Sequence, residues 1–259
     1  MRKLKYIPLA LSLALLAGGA SAAPIYWTDW TGTDQDPGNG FIGSGTITTP
    51  TSTVAVTYTN PQGIAFYQTS GGEYYYRNGT DGPNGTSPYT STQVDNRPPT
   101  TDIVALRYRG SQTLTFSQAI ANPVFAYVSL NGNGYAFDQD FDILSVGGVD
   151  GNACGYWGCG TSYKQIVTVN GLTEYQLLGT GEPHGTLRFT GTFDTVTWRS
   201  LSDEYWNGFT VGVQGTAVEF CTANPTAPEC NPTSVPEPAS LILLGIGFGS
   251  LVLGRRRKS

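Results

Sequence analysis

Thr53-Val54-Ala55-Val56-Thr57-Tyr58-Thr59 alternates with a period of two. A β-strand sends successive side chains to opposite faces, so Val54, Val56 and Tyr58 fall together on one side of it. Outward from this run, short segments of the same kind recur: Asp102–Tyr108, Gln112–Phe116, Val124–Leu130, Tyr163–Val169, Glu174–Leu178, Thr186–Phe189, Thr195–Trp198 and Phe209–Val213. Gly, Asn, Asp and Pro separate them, and no stretch of a dozen residues carries a 3.6-residue period. Val124–Leu130 (VFAYVSL) is apolar at almost every position and reads as a strand buried on both faces. About a dozen short strands predict an all-β fold: one β-sandwich, jelly-roll-like, over residues 23–221. Arg77–Pro99, rich in Asn, Gly, Thr and Pro, reads as a surface excursion, and residues 222–234 as a Pro-rich, semi-rigid linker.

Both flanks of this body are apolar. Arg2, Lys3 and Lys5 precede the apolar run Ile7–Gly19, and Ala20-Ser21-Ala22 follows. This is the pattern of a signal peptide over residues 1–22, cut by signal peptidase between Ala22 and Ala23. At the other flank Val235-Pro236-Glu237-Pro238-Ala239-Ser240 leads into apolar Leu241–Leu253, and Arg255-Arg256-Arg257-Lys258 closes it. The prolines forbid helix and keep that stretch extended and readable. The apolar run is short for a span but suits a transient transmembrane helix over residues 240–254, with the basic cluster held on the cytoplasmic side. This order of prolines, acid, short apolar helix and arginine cluster over 235–259 resembles the PEP-CTERM sorting signal. The resemblance implies export from a Gram-negative cytosol, brief anchoring, and processing at Pro236-Glu237-Pro238 by an exosortase. It also implies delivery to the cell surface or an extracellular polysaccharide matrix, with exopolysaccharide as a partner. Tyr26-Trp27-Thr28-Asp29-Trp30 and Tyr205-Trp206-Asn207-Gly208-Phe209-Thr210-Val211 resemble the ends of globular regions in some PEP-CTERM proteins. That second likeness implies one exported β domain and no activity.

Between the leader and the basic cluster lie seven bases and all 19 acids, a net charge near −12. With Lys164 its one lysine, such a body excludes nucleic-acid binding by phosphate neutralisation. The four cysteines suit an oxidising compartment, and three connectivities are open. Local pairing, Cys154 with Cys159 and Cys221 with Cys230, is the simplest. The first pair would close a Gly-rich loop presenting Tyr156 and Trp157.

Catalytic signatures are weak. His184, the one histidine, lies in the turn-like Gly181-Glu182-Pro183-His184-Gly185 and reads as an exposed turn residue, and no Gly-x-Ser-x-Gly elbow exists. Glu73, Glu174, Glu182 and Glu204 are candidate carboxylates for glycoside hydrolysis without a pattern to select a pair. No enzyme activity is expected. Asp138, Asp140 and Asp142 would share one strand face, as a solvated edge or a shallow Ca²⁺ site; no other cofactor is expected. Five Trp and fifteen Tyr supply sugar-stacking faces. Tyr74-Tyr75-Tyr76, Tyr156-Trp157 and Tyr205-Trp206 lie beside turns, where a sandwich exposes its loops; the first of these sets and the two pairs Tyr156-Trp157 and Tyr205-Trp206 are the candidate glycan contacts, the pairs foremost. Trp198 and Phe125 read as core. The sequence thus predicts an exported surface or matrix protein that binds exopolysaccharide. The alternatives are a secreted carbohydrate-active enzyme and a stably anchored surface protein.

Overall fold

The computed structural model describes residues 22–80 and 82–230. The signal peptide, the Pro236-Glu237-Pro238 processing segment and the transmembrane helix lie outside those residues, apart from Ala22 and Ala23 beside the expected cleavage point.

The regular structure of the described chain is almost entirely strand. In order, the strands are β1 Tyr26–Trp27, β2 Asp29–Thr31, β3 Phe41–Thr48, β4 Thr53–Asn60, β5 Phe66–Gln68, β6 Ile103–Leu106, β7 Gly110–Ala121 and β8 Val124–Val128. There follow β9 Gly134–Phe137, β10 Asp142–Val146, β11 Gly160–Val169, β12 Leu172–Gly181, β13 Gly185–Arg188, β14 Thr192–Ser200, β15 Asn207–Val213 and β16 Gly215–Thr216. One helix, α1 Ala217–Ala223, and a 3₁₀ turn, Pro228–Cys230, complete the described chain.

The strands form two antiparallel sheets. One runs β10-β13-β8-β15-β6-β5 with β1 beside β15; the other runs β11-β12-β9-β14-β7-β4-β3-β2 with β16 beside β7. From β6 to β11 the chain crosses between sheets at every strand, and again from β12 to β15. β6, β15, β8 and β13 therefore face β7, β14, β9 and β12. Hydrophobic side chains fill the space between. Val54, Val56 and Tyr58 point inward from β4 while Thr53, Ala55 and Thr57 stay exposed, as the period of two requires. Aromatic rings interlock across the gap: Phe125 on β8 lies 5.3 Å from Trp198 on β14 and 5.5 Å from Phe189, and Trp198 lies 5.2 Å from Phe209 on β15. These contacts are edge-on, the arrangement that aromatic quadrupoles favour.

All five residues of β8 and all seven of β15 are buried. One face of each looks into the sandwich. The other is roofed by the segment expected to be a surface excursion, which is a partial correction: residues 82–86 are exposed, but Tyr89 and Val94 are fully buried. Tyr76 and Tyr89 pack with Ile103, Ala126 and Val128, while Ile25 and Val94 pack with Val124. The roof exists because the outward side chains of β8 are apolar and need covering.

At the far end of β15 from Asn207, α1 begins with a capping box. Thr216 accepts from the Glu219 N–H at 3.2 Å, and the Thr216 N–H donates to Glu219 Oε2 at 2.8 Å. Glu219 Oε1 also accepts from Thr49 Oγ1 at 2.6 Å, which fastens the helix to the β3–β4 turn. A disulfide between Cys221 and Cys230 then joins α1 to the 3₁₀ turn, so ordered structure continues through residue 230.

Phe125→Ala should lower stability by about 3–5 kcal/mol, the range for emptying a buried aromatic position. A denaturant midpoint is the measurement, and a loss below about 1 kcal/mol would show that this ring does not hold the sheets together.

Candidate functional site

Four loops converge at the end of the sandwich where β8 finishes and β15 starts. They are the β8–β9 loop with Ser129 and Asn131, the bridged loop between β10 and β11, the β12–β13 turn with Glu182, and the β14–β15 loop with Tyr205 and Trp206. Between them opens a cleft of about 430 Å³ lined by Ser129, Asn131, Trp157, Glu182, Tyr205 and Trp206.

The bridged loop is built by its ends. Cys154 and Cys159 are disulfide-bonded, and Gly155 and Gly158 exchange backbone hydrogen bonds at 3.1 Å. Tyr156 and Trp157 are left at the tip. The loop is fixed on three sides: Gly79 N–H donates to Cys154 O at 2.9 Å, Glu182 N–H donates to Cys159 O at 3.1 Å, and Gly155 lies flat on the His184 ring. Any Cβ at residue 155 would run into that ring, so glycine is required there.

The structure corrects the reading of His184. It is fully buried, with Nδ1 3.0 Å from the Tyr89 hydroxyl and Nε2 without a hydrogen-bond partner. Burial pushes its imidazole down to about 3, so it is neutral at ordinary pH. It acts as a packing post between the roof and the bridged loop.

The aromatic walls differ in exposure. Trp157 is 52% exposed and Tyr205 84%. Trp206 is half-buried, backed by Phe66 and Tyr75 with ring centroids 5.1 Å from each. The two indoles lie 6.4 Å apart at an interplanar angle of 70°, forming a corner. Tyr156 does not line the cleft. It stands behind Trp157 at 4.6 Å, against Tyr75 at 5.0 Å, with the Arg77 guanidinium 4.3 Å over its ring. Of the Tyr74–Tyr76 set, Tyr76 belongs wholly to the core beneath the roof.

The polar floor was not assembled by sequence reasoning. Glu182 Oε2 accepts from Ser129 Oγ at 2.5 Å and Oε1 accepts from Asn131 Nδ2 at 2.7 Å. Each oxygen keeps lone-pair capacity for a ligand. Ser129, which makes this contact, adopts φ 55°, the left-handed region that non-glycine residues avoid. Behind the wall Glu204 joins a buried chain: Tyr135 donates to Asn207 Oδ1, and Asn207 Nδ2 donates to Glu204 Oε2 at 2.7 Å. Glu204 Oε1 is buried without a hydrogen-bond partner. Burial pushes this carboxyl up to about 7, and the negative charge of Glu182 adds to the rise. The four carboxylates that looked equivalent in sequence thus separate. Glu182 lines the cleft and Glu204 lies buried behind its wall, whereas Glu174 is ion-paired with Arg199 at 2.7 Å and Glu73 with Arg77 at 3.4 Å.

Asp138, Asp140 and Asp142 do not share one strand. Asp138 to Phe141 form the bend between β9 and β10. Asp140 pairs with Lys164 at 2.8 Å and Asp142 with Arg188 at 3.5 Å. Among the described residues, no group of three or more His, Cys, Asp or Glu is placed to hold a metal ion. Among the same residues no helix is long and apolar enough to cross a membrane.

The body is a two-sheet β domain carrying two disulfides, and the flank supplies the class. The model of the PEP-CTERM protein-sorting motif matches residues 234–258. The chain therefore carries the signal of an exosortase-sorted exported protein, anchored at that segment before processing. No curated protein and no solved structure gives a significant match.

Two pH responses of opposite sign follow from the buried groups. Glu204 titrates near 7 when folded against its ordinary 4.5, so its contribution to stability is full below about pH 4.5 and is lost as pH rises through 7. Glu204→Gln should flatten the fall of the melting temperature over that interval, by about 2–5 °C; unchanged slopes would contradict the buried-acid assignment. His184 titrates near 3 when folded against 6.5, so its contribution is full above pH 6.5 and declines toward pH 3. His184→Phe should lose less stability than wild type between pH 6.5 and 4, measured by thermal unfolding across that range. Parallel acid limbs would show that His184 is accessible to protons.

Proposed function

We propose that this protein is a non-enzymatic, exported surface or matrix protein, a jelly-roll β-sandwich that binds exopolysaccharide through the Trp157–Tyr205–Trp206 cleft. The observation that carries this reading is the convergence of three partly exposed aromatic side chains with the hydrogen-bonding set Glu182, Ser129 and Asn131. Sugar rings present apolar C–H faces and hydroxyl edges, and such a cleft meets both. The position also fits. Cleft residues precede Asn207 and follow Val128, whereas α1 and the path to the sorting motif follow Val213. The length of β15, about 20 Å at 3.3 Å per residue, separates the two. A domain tethered through residues 234–258 would present the cleft on its far side.

Processing is tested by the intact mass of the secreted protein, which should begin at Ala23 and lack residues beyond about 237. A tail retained in full would favour a stably anchored surface protein. Binding is tested by pull-down on the organism's own exopolysaccharide: Trp157→Ala and Tyr205→Ala should each weaken retention about tenfold, which is about 1.4 kcal/mol, the upper end for a lost aromatic contact. Equal retention of wild type and both variants would remove the cleft from the binding surface.

A second reading, a carbohydrate-active enzyme, is favoured by one arrangement: Glu182 lines the cleft while Glu204 is buried behind its wall, two carboxyls in different environments, which is how glycosidases separate acid from base. Reducing-sugar release abolished by Glu204→Gln would establish it.

A further inference from the structure

We propose that the cleft selects a cationic group, the protonated amine of an amino sugar with a free amino function, over neutral N-acylated and acidic sugars. This rests on the cleft being the glycan site and deepens that reading by naming the sugar class.

Three features of the cleft point to a cation. Its walls are aromatic on more than one side. The indoles of Trp157 and Trp206 stand 6.4 Å apart and inclined by 70°, and with Tyr205 they line the cleft, so a group bound there lies among three aromatic rings. An ammonium within about 6 Å of a ring centroid is attracted by the ring quadrupole, and several rings around one cation form an aromatic cage. Its floor carries the Glu182 carboxylate, held in one orientation by Ser129 and Asn131, both neutral donors. No basic side chain lines the cleft, so the charge of Glu182 has no cation of the protein to neutralise it there. The nearest guanidinium in the aromatic group, Arg77, is engaged outside the cleft, over Tyr156 and beside Glu73.

A partly desolvated carboxylate without a charge partner is a standing electrostatic demand. A protonated amine meets it with a charge-assisted hydrogen bond. A uronate would place like charge against Glu182, and an N-acetyl group would bring a neutral amide in place of the charge. The same body keeps Asp140 and Asp142 paired with Lys164 and Arg188, and Glu174 with Arg199. Glu182 bonds only to neutral donors, as Glu219 and Glu204 do, but of these three it alone lines the cleft between aromatic walls.

The test uses the mature protein with both disulfides formed. Three probes are titrated while tryptophan fluorescence is followed: a β-1,4-linked glucosamine tetramer, its fully N-acetylated counterpart, and choline, a permanent cation without a sugar ring. The glucosamine tetramer should bind about tenfold tighter than the acetylated one, and choline should compete with it. Glu182→Gln should bring the two tetramers to near parity while retaining the acetylated one, and an unchanged melting temperature shows that the variant is folded. Should the variant unfold, Tyr205→Ala, at an exposed position, should lower the affinity for choline. Equal affinities of wild type for the two tetramers would overturn the selectivity and leave glycan binding standing. Retention on exopolysaccharide, measured in parallel, separates the failures: retention without any choline or glucosamine preference defeats only this inference, and loss of retention defeats the binding reading as well.

Discussion

The architecture depends on a layer of aromatic rings locked between two sheets. Phe125, Phe137, Phe189, Trp198 and Phe209 meet largely edge to face, with Tyr58 closing one side at 5.3 Å from Phe209. These rings come from strands far apart in the chain, so their packing fixes which strands face one another. With β8 and β15 held centrally, the loops that leave their ends are brought to one place. The cleft is a consequence of that layer as much as of its own residues.

A second constraint acts on the outside. β8, which carries Phe125 of the ring layer, is apolar on both faces, and a two-sheet sandwich covers only one. The chain covers the other with the segment before β6, burying Tyr76, Tyr89 and Val94. This roof reaches the bridged loop, since Tyr89 touches His184 and Gly79 bonds to Cys154. The aromatic tip of the loop is thereby held against a rigid base. A ligand meeting Trp157 there need not order the loop first, which lowers the entropic cost of binding.

Charge is distributed with the same logic. Most acids of the described body are solvated or ion-paired, but Glu182 lines the cleft where four loops join and Glu204 lies behind it. One is oriented by two neutral donors; the other is sunk behind the wall and holds its proton to about pH 7. Two carboxyls in different environments, one lining the cleft and one behind it, make the negative charge of this end of the sandwich grow as the buried one ionises.

The sequence by itself determined what depends on neighbours along the chain. Period-two alternation identified β4, and the runs read as strands recur in β6–β8 and β11–β15. The sorting motif was legible because proline, acid, apolar run and arginine cluster are contiguous, and the two local cysteine pairs because a short loop brings their ends together. What only the tertiary structure decided depends on residues distant in sequence. Residues Arg77–Pro99 have the composition of a surface loop, yet Tyr89 and Val94 within them roof a sheet, because the apolar outer face of β8 must be covered. His184 lies in a turn-like pentapeptide, yet it is buried by Gly155 and Tyr89 from two other segments. Ser129, Asn131 and Glu182 carry no shared local pattern; they form a floor because antiparallel strands return their loops to the same end of the sheet.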